Sequence, residues 1–255
     1  MATGGSLRAE ERRSHLLATL RDAGRIEVEQ AAALLDVSAM TVRRDLEDLE
    51  TEGLVRRVRG GAVPSLSPRP FGERKTEGAA AKALIADKAR TLVPASGAVA
   101  MDASSTVGTL AARLPATDGL VVTTNSHENF LTLTAGRGSG VTAILTGGEL
   151  EESTGSLVGE VACRGAGAFA YDRFFCSAGA VDPAWGASEV SIREAEVKRV
   201  MSTHALETIL CVDSSKLGRR SQALSVTFSE VDVLVTELEP LDARLDAYRD
   251  LVRLL

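Results

Sequence analysis

The chain has 255 residues, of which 44% are apolar and 25% are charged, and its formal net charge is −6 at pH 7. This length and apolar content suffice for one large or two ordinary globular domains. No stretch approaches the roughly 18 apolar residues of a membrane span, and no charged-then-apolar signal opens the chain, so the sequence predicts a cytoplasmic protein. An acidic surface repels nucleic acid, which excludes non-specific DNA binding by the bulk of the chain.

The distribution of charge and the cysteine content narrow the kinds of site that we expect in the chain. Residues 1–63 carry 10 basic and 11 acidic side chains, whereas residues 79–255 carry 16 and 22. The three cysteines are scattered, without a C-x-x-C pair or a nearby pair of histidines, which is typical of reduced thiols in a core rather than of metal ligands. We therefore expect neither a metal site nor a bound cofactor.

The first predicted element is a helix over residues 7–23. Leu16, Leu17 and Leu20 form its inward face, and Gly24 stops it. The apolar residues in the segment 25–28 that follows predict a short strand. We expect this strand to pair with the basic hairpin that is predicted after Gly53.

A short helix comes next, from about residue 27. Ala31, Leu34 and Leu35 recur at i, i+3 and i+4 and predict one apolar face. Asp36 and Val37 then form a tight turn in which Val37 plugs the angle between two helices.

A longer helix follows the turn, with Ser38 as its N-cap. Val42, Leu46 and Leu49 recur at i, i+4 and i+7 on its buried face, and Gly53 is a suitable C-terminal residue. Side chains near the start of this helix are then left pointing outward.

The segment after Gly53 alternates apolar residues with three arginines before it reaches Gly60 and Gly61. This pattern predicts a two-stranded hairpin with a basic tip. Between residues 53 and 63 there is no acidic side chain, so this patch is positive although the whole chain is acidic. Such a local patch is what binding to DNA phosphates requires.

Together the helices and the hairpin predict a DNA-binding domain over residues 1–63. A helix that enters the major groove presents its N-terminal side chains to base edges, and arginine bonds guanine with two hydrogen bonds. An ordinary amphipathic helical hairpin with solvated arginines is the alternative. The predicted DNA-binding residues are Ser38, Thr41, Arg43, Arg44, Arg56, Arg57 and Arg59.

Prolines and serines then break the pattern, and we place an inter-domain linker at residues 64–78. Within it, Phe71, Glu73 and Arg74 are candidates to dock on a neighbouring element. From residue 79 to 255 short apolar strands alternate with helices, which indicates a mostly parallel sheet with helices on both faces. Strands are predicted at 98–101, 120–123, 141–145, 171–178, 209–212 and 231–235, and helices at 80–92, 106–114, 126–135, 157–168, 189–206 and 241–253.

In such open sheets a ligand binds at the carboxyl ends of the strands, where loops lead into helices. Three loops there have suitable chemistry: two are rich in hydroxyls and suit a phosphate, and the third has a glycine pair that allows close approach. Each Ser/Thr loop is also explained by helix capping alone. The candidate ligand residues are Asp102, Ser104, Ser105, Thr106, Thr124, Asn125, Ser126, Gly147 and Gly148.

Two lysines add positive charge to this predicted site. Lys198 lies on a helix that Ser188 or Ser191 can cap, and Glu194, three residues after Ser191, would complete a capping box. Lys216 follows a predicted strand end. A single lysine on a helix is usually only solvated. We include Glu194, Lys198 and Lys216 among the candidate ligand residues.

These motifs resemble the DeoR family of bacterial transcriptional regulators in the expected order along nearly the whole chain. In the first domain the matching runs are TVRRDL at 41–46 and GGA at 60–62. In the second they are the DAST-like run at 102–106, TTNS at 123–126, GG at 147–148, EAEVKR at 194–199 and DSSKLG at 213–218. The chain is identified as a member of this family.

The resemblance implies a winged helix-turn-helix followed by an α/β sensor domain similar in fold to ribose-5-phosphate isomerase. It implies a repressor of sugar catabolism or transport genes that binds a double-stranded DNA operator and is released by a phosphorylated sugar. A homo-oligomer, dimer or tetramer, follows from the symmetry of operators.

One position departs from the family pattern. Where many members have a G-A-D-G-I-D run, this chain has Gly179 in place of the internal aspartate. If that aspartate contacts sugar hydroxyls, this protein recognises a different sugar or holds it with Asp102 and Glu194.

Two other functions are compatible with the sequence. One is a sugar-phosphate isomerase in which Asp102, Glu194, Lys198 and Lys216 supply acid and base groups. No histidine is paired with a nucleophile, which argues against an enzyme. The other is a DNA-binding module whose sensor no longer responds to a ligand.

Overall fold

A computed structural model describes residues 4–51, 54–64, 70–135 and 140–255. The chain divides into two compact units, Met1–Arg69 and Pro70–Leu255. Each unit has its own hydrophobic core. None of the helices in the described ranges is long and apolar enough to cross a membrane.

The first unit contains three helices and a small antiparallel sheet, as the sequence predicts. Its strands lie in the order β1, β3, β2, so the short strand before the second helix pairs with the hairpin. The elements are α1 (Gly4–Ala23), β1 (Ile26–Glu27), α2 (Val28–Leu35), α3 (Ala39–Thr51), β2 (Val55–Val58) and β3 (Gly61–Pro64).

The core of this unit comes from the predicted apolar stripes with one exception. Leu16 and Leu20 of α1 pack with Val42, Leu46 and Leu49 of α3. These side chains recur at helical spacing, so burying one face of each helix removes them together from water.

Leu34 is the exception, because 67% of its surface is exposed. The buried face of α2 instead starts at Val28 and continues through Ala31 and Ala32 to the partly buried Leu35. These positions are spaced i, i+3, i+4 and i+7, and Leu34 falls outside that stripe.

The turn between α2 and α3 is formed as predicted. Asp36 ends α2 in the left-handed conformation, with φ of 51°, which aspartate tolerates better than most residues. The Ser38 hydroxyl accepts a hydrogen bond from the Thr41 amide at 3.1 Å, and Val37 packs on the core. The predicted helix end at Gly53 lies outside the described residues.

The second unit is built on a seven-stranded parallel sheet in the order β15, β14, β12, β9, β4, β5, β6. Its helices are α4 (Phe71–Thr76), α5 (Ala79–Arg90), α6 (Ser105–Ala111), α7 (His127–Ala135), α8 (Glu160–Ala166) and α9 (Ile192–Thr203). Its strands are β4 (Gly97–Met101), β5 (Leu120–Thr124), β6 (Val141–Leu145), β7 (Glu149–Glu151), β8 (Ser156–Val158), β9 (Tyr171–Cys176), β10 (Ala180–Asp182), β11 (Gly186–Glu189), β12 (Ala205–Cys211), β13 (Ala223–Val226), β14 (Val233–Val235) and β15 (Arg253–Leu254).

Both faces of this sheet are covered, which confirms the predicted architecture. Phe174 packs in one core with α8 and α9, while the next residue, Phe175, packs in the other core with α5 and α6. Because successive strand residues point to opposite faces, a strand buried on both faces is apolar throughout. Cys176 and Cys211 are buried in these cores, as expected for structural thiols.

One prediction for the second unit needs correction, and two elements were missed. The predicted helix at 241–253 is a 3₁₀ turn at Ala243–Tyr248 followed by the edge strand β15. Leu245 and Tyr248 lie three residues apart, and a 3₁₀ turn places such residues on the same side, where both are buried. The hairpin β7–β8 and the antiparallel sheet β10, β11, β13 were not predicted.

The predicted linker over 64–78 is also wrong in its second half. Residues 70–78 contain α4 and belong to the second unit. Pro70 precedes the first residue of α4, a position where the missing amide of proline costs nothing. Helix α4 packs on α6, as the suggestion that Phe71 and Arg74 dock on a neighbour anticipated.

Candidate functional site

The first candidate site is the surface formed by the start of α3. Arg43 and Arg44 are exposed there, and Thr41 is partly buried. The Thr41 hydroxyl lies 2.9 Å from the Ser38 hydroxyl, and Arg43 lies 3.4 Å from Glu29. This ion pair is open to solvent and is worth at most about 1 kcal/mol, so it can be exchanged for a phosphate.

The hairpin β2–β3 carries the three other predicted arginines. Arg57 forms ion pairs with Glu47 at 3.1 Å and Glu50 at 3.3 Å, both on α3. Arg56 and Arg59 are exposed and form no ion pair within the described residues. The structure therefore divides these arginines into one that holds the hairpin on α3 and two that extend into solvent.

Asp45 of the TVRRDL run was not predicted to have a role. Its carboxylate accepts hydrogen bonds from Arg12 Nε at 2.6 Å and Arg12 Nη2 at 2.8 Å, and only 4% of Asp45 is exposed. The hydrogen bond that Arg12 donates to Asp45 raises the pKa of the Arg12 guanidinium. This pair fixes α1 on α3, and so holds the outward face of α3 in place.

The second candidate site lies at the carboxyl edge of the parallel sheet. Met101, Thr124 and Leu145 are aligned across β4, β5 and β6, so the predicted loops leave the sheet side by side. The Thr146 amide donates to the Thr124 carbonyl at 3.1 Å and extends this alignment by one residue. The fold thus brings the three predicted ligand loops together.

The loop after β4 is held by hydrogen bonds that its own aspartate accepts. Asp102 is fully buried, and its two carboxylate oxygens accept from the Ser104 amide at 2.9 Å and the Ser177 amide at 2.8 Å. Ser104 caps α6 by accepting from the Val107 amide at 3.1 Å. Ser104, Ser105 and Thr106 are all buried in this structure.

Asn129 on α7 connects the first two loops and was not among the predicted site residues. Its side-chain amide donates to the carbonyls of Asp102 at 2.9 Å and Ser104 at 3.3 Å, while Ser126 caps its helix by accepting the Asn129 amide. Asn129 and Leu133 are the buried residues of α7 and lie four residues apart. The sequence signal for this residue was a carboxamide side chain at helical spacing from the apolar Leu133.

Most of the remaining loop residues form hydrogen bonds or packing contacts within the protein. Thr124 accepts from the Ser126 amide, and Asn125 Nδ2 donates to the Leu157 carbonyl at 3.1 Å. Asn125 Oδ1 is buried and has no hydrogen-bond partner in the described residues. Gly147 and Gly148 have φ of +74° and +117°, and a Cβ at Gly148 would lie 2.7 Å from that of Ala162. Packing on α8 thus explains Gly148 without a ligand.

Lys198 reaches this edge from α9. Its ammonium donates hydrogen bonds to Glu189 at 2.5 Å and to the Ser177 carbonyl at 2.7 Å, and it forms an ion pair with Asp102 at 2.9 Å. Burial lowers the pKa of Lys198, but the carboxylates of Asp102, Glu189 and Glu194 together outweigh burial and raise it. Lys198 is therefore a cation in the folded protein.

Glu189 is a site residue that the sequence did not reveal. It is buried beside Lys198, and its second oxygen accepts from the Gly179 amide at 3.2 Å. Burial raises the pKa of Glu189 to about 7, against the opposing effect of Lys198. A carboxylate thus lies beside the backbone at the position where this chain departs from the family pattern.

Glu194 forms only half of the expected capping box. Its amide donates to the Ser191 hydroxyl at 3.3 Å, but its carboxylate makes no hydrogen bond within the described part of the chain. The side chain is buried and adds negative charge near Glu189 and Lys198. It is an available acceptor for a ligand.

Lys216 lies near a second lysine, Lys82 of α5. Burial lowers the pKa of Lys82, Asp213 opposes this effect, and Lys216 adds to it. Lys82 shares the buried stripe of α5 with Ile85, Ala86 and Ala89, at i, i+3, i+4 and i+7. A lysine on an apolar stripe was the available sequence signal, and it was missed.

The two units and their sites define a two-domain, DNA-binding transcriptional regulator. The DeoR-like helix-turn-helix domain matches residues 12–67, and the DeoR C terminal sensor domain matches residues 77–238. The chain belongs to the DeoR family.

Full-length relatives agree with this assignment. The HTH-type transcriptional regulator GlpR of Haloferax volcanii is 31% identical over 240 residues, which are 93% of this chain and 91% of that protein. The glycerol-3-phosphate regulon repressor of Escherichia coli is 27% identical, over 92% of this chain and 93% of that protein. These relatives are regulators, which agrees with the prediction that the chain is not an enzyme.

Among solved structures, ribose 5 phosphate isomerase A from Neisseria gonorrhoeae is similar to part of the chain. The TM-score is 0.38 and the identity 15%, over 55% of this chain and 53% of that one.

Proposed function

We propose that this protein is a repressor whose hold on DNA is relieved by a phosphorylated sugar or polyol. The observation that carries the proposal is the carboxyl edge of the sheet. There the loops at 102–106 and 124–126 meet Lys198 and the unpaired carboxylate of Glu194. Cations and helix-start amides suit a phosphate, and buried acceptors suit hydroxyl groups. The name of the Escherichia coli relative also contains a phosphorylated polyol.

In this proposal α3 enters the major groove of the operator. Ser38, Thr41, Arg43 and Arg44 face base edges and nearby phosphates, while Arg56 and Arg59 of the hairpin bind the backbone. Arg57 contributes by holding the hairpin against α3, since Glu47 and Glu50 occupy its guanidinium. Such binding to chromosomal DNA takes place in the cytoplasm.

On the effector side, the amides and hydroxyls of Ser104, Ser105 and Thr106 bind the phosphate, together with Lys216. Glu194 and Asn125 accept hydrogen bonds from sugar hydroxyls, as do Thr124 and Ser126. Both oxygens of Asp102 are already occupied, so Asp102 acts by positioning its loop and Lys198.

Regulation then follows from differential binding. The effector must bind more tightly to an arrangement of a dimer or tetramer whose DNA-binding units no longer match the half-site spacing. A ligand that binds both arrangements equally does not shift the equilibrium between them, however tightly it binds.

The test is fluorescence anisotropy with labelled DNA from the region upstream of the protein's own gene, at fixed salt, with and without a panel of sugar and polyol phosphates. Binding that prefers this DNA over a scrambled sequence, and that one phosphorylated compound relieves while its unphosphorylated form does not, is the expected result. Equal binding to scrambled DNA would overturn the proposal for this operator.

Two variants separate base reading from phosphate binding in the same assay. Arg44→Ala should weaken operator binding by about 1 to 3 kcal/mol and relax base preference, whereas Arg59→Ala should reduce the slope of log affinity against log salt by about 1. Arg25→Ala is the control for Arg59→Ala, because Arg25 is an exposed arginine of the same unit that is not among the proposed DNA contacts. Unchanged affinity in both Arg43→Ala and Arg44→Ala would remove the assignment of α3.

A further inference from the structure

The segment 70–77, which we call the strap, lies against the loop at 102–106 that is proposed to bind phosphate. A Cβ on Gly108 of α6 would lie 3.3 Å from the Phe71 ring, so the ring rests on that helix. Arg74 stacks over Phe71, at 5.5 Å from the ring centroid, and donates to the Thr154 carbonyl at 2.9 Å. The strap is thus fixed to the start of α6 and to the turn between β7 and β8.

Two donors of the site converge on a single oxygen of the strap, the carbonyl oxygen of Arg74. The Ser105 hydroxyl donates to it at 3.1 Å, and the Lys82 ammonium donates to the same atom. Lys82 also donates to the Glu77 carbonyl at 2.6 Å. One buried ammonium therefore holds the strap at its middle and at its C-terminal end.

This arrangement is better suited to an anion than to a peptide carbonyl. Lys82 is 6% exposed, and its hydrogen-bond acceptors in the described part of the chain are neutral carbonyls, so carboxylates such as Asp213 compensate its charge only through space. A phosphate oxygen carries negative charge, so it attracts a buried ammonium more strongly than the neutral carbonyl oxygen does. The Ser105 hydroxyl has one proton and cannot serve the strap and a phosphate at once.

We propose that the Arg74 carbonyl is a tethered substitute for a phosphate oxygen, and that an effector phosphate takes Ser105 and Lys82 from it and releases the strap. This inference rests on the proposed function and names its regulatory step. Residue 70 directly follows the last residue of the DNA-binding unit in the chain, so release of the strap changes the tether between sensing and DNA binding. It also makes Lys82 a ligand of the effector.

The test is hydrogen exchange of the full-length protein, read by mass spectrometry on peptides that cover residues 70–78. The Arg74 and Glu77 amides, which donate to the Pro70 and Glu73 carbonyls at 3.1 Å, are the reporters. The probes are glycerol 3-phosphate, fructose 1-phosphate, glucose 6-phosphate and orthophosphate, and calorimetry measures their binding in parallel. A probe that binds should accelerate exchange in the strap by about tenfold or more.

Two variants test the two donors, first by exchange without any probe and then, for Lys82, by probe binding. Ser105→Ala and Lys82→Met should each accelerate exchange of the strap, and Lys82→Met should weaken binding of an active probe by about tenfold. Lys75→Met is the matched control, since it removes an exposed charge from the strap itself and should change neither quantity. Circular dichroism confirms that each variant is folded.

The outcomes distinguish the two proposals. If a probe binds while the strap stays protected, the strap inference is overturned and the proposed function stands. If no probe binds, the proposed function fails and the strap inference fails with it. Protection of the strap in both Ser105→Ala and Lys82→Met would overturn the convergent-donor argument directly.

Discussion

Lys198 on α9 lies 2.9 Å from the Asp102 carboxylate, which follows β4 on the neighbouring part of the sheet edge. Both side chains are buried, and Glu189 lies 2.5 Å from the same ammonium. One lysine thus compensates two buried carboxylates and orders the loop that starts the candidate effector site.

Removing this lysine should destabilise the sensor unit strongly. In Lys198→Met, Asp102 and Glu189 remain buried without their cation, and breaking such a buried pair costs about 3 to 5 kcal/mol. Urea denaturation measures the difference. Lys216→Met removes a less buried lysine and should change stability by about 0.5 kcal/mol or less. A Lys198→Met protein as stable as the wild type would contradict the buried pairing.

The raised pKa of Glu189 predicts a pH dependence of stability. The group is protonated more readily in the folded chain, with a pKa of about 7 against an ordinary 4.5, so the folded state binds more protons between these values. Stability contributed by this group is therefore present at low pH and is lost as the pH rises through about 7. The opposite sign applies to a carboxyl whose pKa is depressed.

Comparison of the wild type with Glu189→Gln isolates this effect from other titrating groups. Between pH 5 and 8 the wild type should lose about 2 to 3 kcal/mol of unfolding free energy relative to the variant. Denaturation at each pH provides the measurement. Parallel curves for the two proteins would show that Glu189 titrates in its ordinary range.

The ion pair between Arg12 and Asp45 should stabilise the DNA-binding unit more than the nearby ion pair between Arg13 and Asp48 does. Asp45→Ala removes two charge-assisted hydrogen bonds to a buried carboxylate, at a cost of about 2 kcal/mol or more. Asp48→Ala breaks an exposed pair with Arg13 at 3.1 Å and should cost about 0.5 kcal/mol. Thermal unfolding of each variant is the measurement, and equal losses would count against burial as the cause.

Gly148 should not tolerate alanine, although its neighbour Gly147 should tolerate it better. A Cβ at Gly148 would lie 2.7 Å from the Cβ of Ala162 and 2.8 Å from the Val158 carbonyl oxygen, whereas at Gly147 the nearest atom is 3.7 Å away. Both have positive φ, so the backbone strain of about 1 to 2 kcal/mol is shared. Overpacking adds about 1 to 3 kcal/mol at Gly148 alone. Similar denaturation midpoints for the two variants would contradict this packing.

Much of the architecture could be predicted because it depends on local patterns. Leu16 and Leu20, and Val42, Leu46 and Leu49, repeat at helical spacing, so they define buried faces whatever the partner is. The apolar strands 98–101, 120–123 and 141–145 indicated a sheet covered on both sides. The carboxyl ends of parallel strands lie at one edge, which was enough to predict that the three ligand loops meet.

Only the tertiary structure decided which charged and polar groups contact one another. Glu189 and Lys82 become candidate site residues because burial and distant partners define them, and no local pattern distinguishes a buried acid from a solvated one. The same reason explains the pairing of the predicted DNA contact Arg57 with Glu47 and Glu50 of α3. It also explains α4, which looked like linker but packs on α6. Local spacing determines which face of an element is apolar, whereas only the assembled fold determines where each charge finds its partner.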